Sequence, residues 1–539
     1  MNLVKPEGVT TTGTITRSTI GTYFDSAGLM QTAAINENRI NYDPYTGEFK
    51  GILIENASTN LITRSEEIDL WLGPSGLTVT ADSGSSSWTN TFDGLTPSAT
   101  AGNHFVGRQV STMTAGAEYT TSMYVKKGSS DYIELDVTGS TSPTTNISRV
   151  VFQFSTLTAT DISIGTGVVT DKGIERVSSD IWRVWMKGYP DTTSVTRSHR
   201  IYLCSNTGSN FFTGDGVTVS AYVWGVQVEL GNLSSYIKTT TATVTRAADV
   251  ISGSGLVYTN VTNAYAEWSS ATTYSLGTSV SYGAYGTYIS LQNSNLNQNP
   301  LTANTFWSRT GPTNKMAAFD DVISTTTTST SDIIFAITAS SIDTVALLNL
   351  TGTKSSIAVS DASSKTELYH NSQQLTGQAS LDWYSYFFYD SDTVRTMSVY
   401  LDIPILSNAL ISIKISGTGT VGLGTLVQGV LKRLGDTQYG VSAGIIDYSR
   451  KEADEFGNIS FVERNYSKRI NASVSLTNAN LNKVQRLLYE LRATPVLWLA
   501  STDIQFEEPL ITYGFYRDFS TEISYPTHSI CNLQIEGLI

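Results

Sequence analysis

The segment Tyr222-Val-Trp-Gly-Val-Gln-Val-Glu-Leu230 decides the fold class. A β-strand points successive side chains to opposite faces, so Tyr222, Trp224, Val226, Val228 and Leu230 share one face and read as a half-buried strand. Tyr119 to Lys126 repeats the pattern, with Tyr119, Thr121, Met123 and Val125 on one face. Further strands are expected at 131–137, 149–154 and 181–187, separated by clusters of Gly, Ser, Thr and Asp and by no amphipathic helix. That rhythm predicts an antiparallel two-sheet jelly roll.

Working outward, the composition fits the same class. Charged residues make up 15% of the 539 positions, well under the roughly 25% of ordinary soluble chains, and 43 glycines suit short strands joined by polar turns. A helical or coiled-coil protein is disfavoured. The opening Met-Asn-Leu-Val-Lys-Pro lacks the charged and apolar regions of a secretory signal, and the chain has no long apolar run, so neither a signal nor membrane insertion is expected. With 34 basic against 47 acidic residues the net charge is −13, which argues against nucleic acid as a partner.

Residues 251–318 change character abruptly, carrying only Glu267, Arg309 and Lys315 as charges while holding Tyr265, Trp268, Tyr274, Tyr282, Tyr285, Tyr288 and Trp307. A small separate module is expected there. The stretch Ser324 to Ser331 that follows fits either a linker or a solvent-facing strand, because β-branched Thr suits both. Near the C-terminus, Leu481, Val484, Leu487, Leu488 and Leu491 recur at helical spacing, Asn478 or Asn480 is positioned to cap the start, and Pro495 stops the helix. Strand-like Ile470–Leu476 and Val496–Leu499 flank it, so the helix should pack on a sheet in an α+β domain.

Chemistry-bearing constellations are sparse. Cys204 and Cys531 have no Cys or His neighbours at metal spacing and read as buried thiols. The histidines (His104, His199, His370, His528) are scattered, which leaves no metal site and no catalytic triad. Glu66-Glu67-Asp69 and Glu452-Asp454-Glu455 sit in polar stretches and read as solvated loops rather than a glycosidase acid pair, and Asp215 between Gly214 and Gly216 reads as a turn. Lys468, Arg469, Lys483, Arg486 and Arg492 form a basic concentration: a solvated helix face, or a docking patch for an acidic subunit. No catalytic residue and no cofactor is therefore expected.

The aromatic module is the candidate binding site, because sugar rings stack on exposed Trp and Tyr while amides bond their hydroxyls. Tyr288-Ile-Ser-Leu-Gln-Asn-Ser-Asn-Leu-Asn-Gln-Asn299 puts such amides beside the rings, and Tyr288 and Trp307, bordering 292–299, are expected to be the more exposed pair. The bland alternative is that so small a module has only its aromatics to bury. The spacing Trp268, Tyr274, Gly277, Val280, Tyr282, Gly283, Tyr288, Pro300 and Trp307 resembles the small chitin- and cellulose-binding modules of bacterial glycoside hydrolases, three-stranded folds; Ser279, Ser281 and Ala284 depart from that pattern. The resemblance implies carbohydrate contact by Trp268, Tyr274, Tyr282, Tyr285, Tyr288 and Trp307.

A wider resemblance covers most of the chain. Ser18-Thr-Ile-Gly-Thr-Tyr-Phe-Asp-Ser-Ala-Gly28, Asn41-Tyr-Asp-Pro44, Gly51-Ile-Leu-Ile-Glu-Asn56, Thr59-Asn-Leu61, Tyr222 to Gly231, Ser235-Tyr-Ile237 and Thr245-Arg-Ala-Ala-Asp249 resemble a carbohydrate-binding-like jelly roll recurrent in tailed-bacteriophage virion proteins. Gly311-Pro-Thr-Asn-Lys315, Phe319-Asp-Asp321, Leu347-Leu-Asn-Leu350, Asp382-Trp-Tyr-Ser-Tyr-Phe387, Leu434 to Gly440, Gly444 to Lys451, Ala493-Thr-Pro495 and Tyr513-Gly-Phe-Tyr516 are similar to an uncharacterised phage tail-protein family. The two together imply a mainly β protein: jelly-roll β-sandwich at 1–250, small three-stranded aromatic module at 251–312, second β-sandwich at 313–431 and α+β assembly domain at 432–539. They imply a tail-tip or baseplate component of the virion, made in the host cytoplasm, which contacts other tail proteins and host surface polysaccharide without cleaving it. A homo-oligomer, a trimer about the tail axis, is expected. The competing readings are a purely structural adaptor joining tail to fibre or spike, and a capsule depolymerase.

Overall fold

In the computed structural model the chain is mainly β, built of antiparallel sheets; the longest helix among the described residues, Leu481–Glu490, makes nearly three turns. The structure describes residues 1–10, 13–71, 73–85, 91–140, 144–284, 286–320, 322–376, 394–453, 459–501 and 507–538. The motif 382–387 and residues Asp321, Asp454 and Glu455 lie outside the described residues. Two compact units are formed, one of Ile15–Ile251 with Ser364–Thr366, the other of Met1–Thr14, Ser252–Ser363 and Glu367–Ile539.

The unit Ile15–Ile251 is a two-sheet sandwich. Its six-stranded sheet runs Val168–Arg176, Ile181–Tyr189, Tyr119–Lys127, Ala221–Leu230, Thr91–Pro97, Leu77–Ser85. The five-stranded sheet runs Phe105–Val110, Arg197–Leu203, Tyr132–Gly139, Ile147–Gln153, Thr158–Asp161. Met123, Val125, Val184 and Val228 from the first interlock with Ile133, Leu135, Phe152 and Ile201 from the second in one core. Consecutive strands change sheet repeatedly, as from Phe105–Val110 to Tyr119–Lys127 to Tyr132–Gly139, so chain crossings tie the layers together.

Two expectations need correction here. Tyr119–Lys127 is buried through Val125 on both faces rather than half-buried: a second cluster of Phe92, Tyr124, Trp224 and Tyr236, packed by Phe24, Leu29 and Met30, covers the reverse side of its sheet. Tyr222, Trp224, Val226, Val228 and Leu230 also do not share a face. The pairing of the two strands shifts register between Ser122 and Tyr124, and Gly225 sits at φ +65°, the geometry of a bulge that inserts one residue and flips the alternation beyond it. Val223, Val226 and Val228 consequently enter the inter-sheet core, whereas Trp224 joins the outer cluster with Tyr222 packed beside it, and Leu230 is exposed.

In the second unit, Gly255–Thr259, Ile333–Ala339, Ala409–Ser416, Lys354–Asp361 and Thr366–Gln374 form one sheet, and Thr327–Ser329, Val421–Gly429, Thr344–Thr351 and Met397–Tyr400 another. Phe335, Ile337, Leu347, Ile357, Ile413 and Leu423 fill the space between them. The Thr-rich stretch is thus a strand in part, Thr327–Ser329 pairing with Val421–Leu423.

The C-terminal sheet is ordered Leu431–Arg433, Asn2–Val4, Val496–Leu499, Ile511–Glu522, His528–Gly537, Tyr466–Thr477, with Asp436–Thr437 and Ser442–Asp447 both pairing along Tyr466–Thr477. Its first-made strand is an import from the far end of the chain: Asn2–Val4 bonds Leu431–Arg433 on one side and Val496–Leu499 on the other. The helix Leu481–Glu490 lays Val484 and Leu488, followed by Leu491, on this sheet against Ile470, Val474 and Trp498. Neither expected cap operates: no side chain caps the helix start, and the Asn478 amide instead donates to Tyr525 O and Pro526 O at 3.0 and 2.9 Å.

Candidate functional site

The aromatic module is a three-stranded antiparallel sheet, Ser279–Tyr282, Gly286–Ser290 and Trp307–Gly311, with Thr273–Tyr274 paired to Asn295–Leu296 beside it. Val280 stands opposite Tyr288, and Ser290 opposite Trp307. Tyr274, Val280, Tyr288 and Trp307 form its core, with Trp268, Tyr282, Ala303 and Phe306 packed against them. The rings meet edge to face, Tyr274 with Trp307 at 5.2 Å and Trp268 with Tyr282 at 5.5 Å, the arrangement their quadrupoles favour.

The expected exposure of Tyr288 and Trp307 is overturned. They are 6% and 3% exposed, and Tyr274 is 8% exposed. The cause is size: a module this small has little aliphatic material to bury, so the largest rings are taken into its core. Trp307 is further fixed by Nε1 donating to Gln298 O at 2.8 Å, and Tyr274 by its hydroxyl accepting from Ser269 N at 2.7 Å. Trp268 and Tyr282 remain half-buried and present part of their rings to solvent. Tyr265 is 48% exposed. Tyr285 lies outside the described residues.

The amides bordering these rings are engaged within the module. Gln292 Nε2 donates to Thr305 O, Asn295 Nδ2 to Ser290 Oγ, and Asn299 Nδ2 to the Tyr282 hydroxyl, while Asn293 Oδ1 accepts from Leu276 N. These bonds hold the loop 291–306 onto the sheet.

The sequence reading missed two buried ionic clusters in the unit Ile15–Ile251. In the first, Asp249 accepts from Arg17 Nη1 at 3.1 Å and Arg39 Nη2 at 2.6 Å, and Glu55 bonds Arg39 Nη1 at 2.5 Å and Arg246 Nη1 at 3.0 Å. Ser235 adds its N–H and hydroxyl to Glu55, both at 2.7 Å. Burial by itself would raise the Glu55 carboxyl, but Arg39, Arg246 and the Ser235 bonds together hold it below its ordinary value. Glu55, Ser235, Arg246 and Asp249 come from segments distant in sequence, which the cluster clasps together.

In the second cluster, Glu134 and Asp136 project from one face of Tyr132–Gly139, and Arg149 on the neighbouring strand reaches both, at 3.1 and 2.9 Å. Burial pushes Glu134 up to about 7 against the opposing pull of Arg149, and Asp136 is raised for the same reason. The i, i+2 spacing was the available signal, since strand geometry puts such a pair on one face. Both carboxylates are 1% exposed, so this acid pair is shut away from a polymer in solution.

The remaining candidates behave more simply. Asp215 Oδ1 accepts from Val217 N and Thr218 N in a tight turn. Cys204 and Cys531 are free, buried thiols. Among the described residues, no group of three or more His, Cys, Asp or Glu is arranged to hold a metal, and no helix is long and apolar enough to cross a membrane.

No family model matches the chain, and no curated protein does. Among solved structures it is similar to the crystal structure of Momordica charantia 7S globulin, at 8% identity over 62% of this chain and 77% of that one, with a TM-score of 0.10. At that score the two backbones do not superpose, and the likeness carries neither fold nor function across.

Proposed function

We propose that the protein is a non-catalytic structural and host-recognition component of a bacteriophage tail tip, in which the module 251–312 holds host surface polysaccharide against Trp268 and Tyr282. The ordered motif series along both halves of the chain supports the virion assignment. The observation that carries the binding role is the division of labour among the rings: Tyr274, Tyr288 and Trp307 build the core, leaving the edge-to-face pair Trp268 and Tyr282 partly open to solvent. Half-open rings on a rigid base suit stacking on sugars. In the virion the chain contacts other tail proteins as a symmetric homo-oligomer, a trimer about the tail axis.

A purely structural adaptor is the second reading, favoured by the internal bonds of the Gln292, Asn295 and Asn299 amides. A depolymerase is disfavoured by the sequestration of Glu134 and Asp136. The deciding experiment measures binding of the full chain to purified host capsule and lipopolysaccharide, with melting recorded in parallel. Trp268→Ala and Tyr282→Ala should weaken binding by about 1–3 kcal/mol each and release of new reducing ends should be absent. Wild-type protein that binds no host glycan leaves the adaptor; sugar release abolished by one Asp or Glu substitution overturns the non-catalytic reading.

A further inference from the structure

Residues of the helix Leu481–Glu490 and of the strand Leu431–Arg433 line one groove of about 460 Å³ in the second unit. Both walls are fixed. Leu431–Arg433 pairs with Asn2–Val4, and Leu431 N donates to Asp343 Oδ1 at 2.7 Å, while the helix is seated on the sheet through Val484 and Leu488. The half-buried Leu431 and Leu487 and the buried Val484 give the groove an aliphatic lining.

Four of the nine residues around this groove are basic, in a chain with 34 basic residues among 539 and a net charge of −13. Two of the four are engaged, Arg433 with Asp436 and, more loosely, Arg486 with Glu490 at 3.9 Å. Lys432 and Lys483 are exposed and have no ion-pair partner among the described residues. A merely solvated helix face would hold its cations on one element. Here they come from a strand and a helix some 50 positions apart and converge on a single apolar trough.

We propose that the groove takes an acidic peptide segment of another virion protein, with a large apolar side chain against Leu431, Val484 and Leu487 and carboxylates on Lys432 and Lys483. The inference rests on the assembly part of the function proposed above. Charge complementarity selects the partner and speeds its approach, and apolar contact on a fixed lining supplies affinity. An anionic polysaccharide fits less well, because sugars stack on aromatic rings and this groove is lined by none. The acidic pairs named above are already engaged, Glu66 with Lys238, Glu67 with Arg64, and Glu134 and Asp136 with Arg149, so none of them is free to meet the groove from a second copy.

The test uses the full chain and a fluorescently labelled synthetic peptide of alternating glutamate and leucine, followed by anisotropy. This peptide should bind. One of equal charge with serine in place of every leucine should bind about tenfold or more weakly. The leucine peptide should lose a similar factor on Lys432→Glu with Lys483→Glu, a double variant whose melting should match wild type because both side chains are exposed. No binding of the leucine peptide, equal binding of the serine peptide, or binding indifferent to the double variant would each overturn the proposal. Displacement of the peptide by polygalacturonate at equal monomer concentration would give the groove to an anionic glycan, and wild-type self-association abolished in the double variant would give it to a second copy; either overturns it too. Glycan binding through Trp268 and Tyr282 should survive in the double variant, which separates failure here from failure of the recognition reading.

Discussion

Arg39 and Asp249 meet at 2.6 Å, guanidinium Nη2 to carboxylate Oδ2, although 210 positions separate them. Asp249 also receives Arg17 and accepts from Glu55 N at 2.8 Å, so one carboxylate gathers the start and the end of the unit Ile15–Ile251. The arginine and aspartate side chains are both at most 1% exposed.

Breaking this clasp from one side strands buried charge. Asp249→Asn should destabilise the unit by about 3–5 kcal/mol, read as a lowered denaturant midpoint. Arg433→Ala, which removes the exposed ion pair with Asp436, serves as the control and should cost about 0–1 kcal/mol. Equal losses would mean that burial of the first pair carries no energetic weight.

The pH dependence of the same unit contains two opposed contributions. Burial and, secondarily, Arg197 lower His199 from 6.5 to about 3. The unfolded chain therefore binds the extra proton between those values, and this contribution to stability is present above about 6.5 and lost as pH falls. Glu134, raised from 4.5 to about 7, binds its proton in the folded state first, so its contribution is lost as pH rises through that window. Thermal melts from pH 4 to 8 should show Glu134→Gln gaining on wild type as pH rises, and His199→Gln gaining on it as pH falls. Parallel curves would refute the assignment.

Gly225 is where the two-residue alternation breaks. Its φ of +65° costs a non-glycine residue about 1–2 kcal/mol, and an added Cβ comes within 3.1 Å of Tyr124 Cδ2. Gly225→Ala should lower the melting temperature, and Gly94→Ala is not an equivalent control because Ser83 Oγ crowds it. An unchanged melt would argue that the bulge relaxes freely.

Trp307→Ala tests the core of the aromatic module. Removing a ring 3% exposed should cost about 3–5 kcal/mol and abolish any glycan binding together with the fold of the module. Trp268→Ala, by contrast, removes a half-buried ring packed on that core, and should lose binding with a clearly smaller drop in melting temperature than Trp307→Ala.

What could be read from the sequence was local. Alternation at Tyr119–Lys126 located a central strand, and the spacing from Leu481 to Leu491 located the helix, because both patterns repeat within one element. Gly225 was visible, but a register shift belongs to a pair of strands, and nothing near Trp224 announces that it turns away from Val226. Arg39 and Asp249 were equally invisible as partners, since two charges in separate motifs carry no sign of their distance in space. For Tyr288 and Trp307 the error was one of inference: neighbouring amides suggested a wet surface, whereas they tie the loop 291–306 down over a small core.

The strand Asn2–Val4 has a consequence for biosynthesis. One of its neighbours, Val496–Leu499, is made some 490 residues later, roughly 25–100 s at ordinary translation rates. Leu3 and Val4, both fully buried at the end, gain their first strand partner only with Leu431–Arg433 and their second only with Val496–Leu499, while Ile15–Ile251 emerges as a nearly continuous stretch able to form its core. The nascent chain therefore carries this apolar strand incompletely paired until residue 499 is made, and a translational stall before residue 431 would leave it available to chaperones or to other unfinished chains.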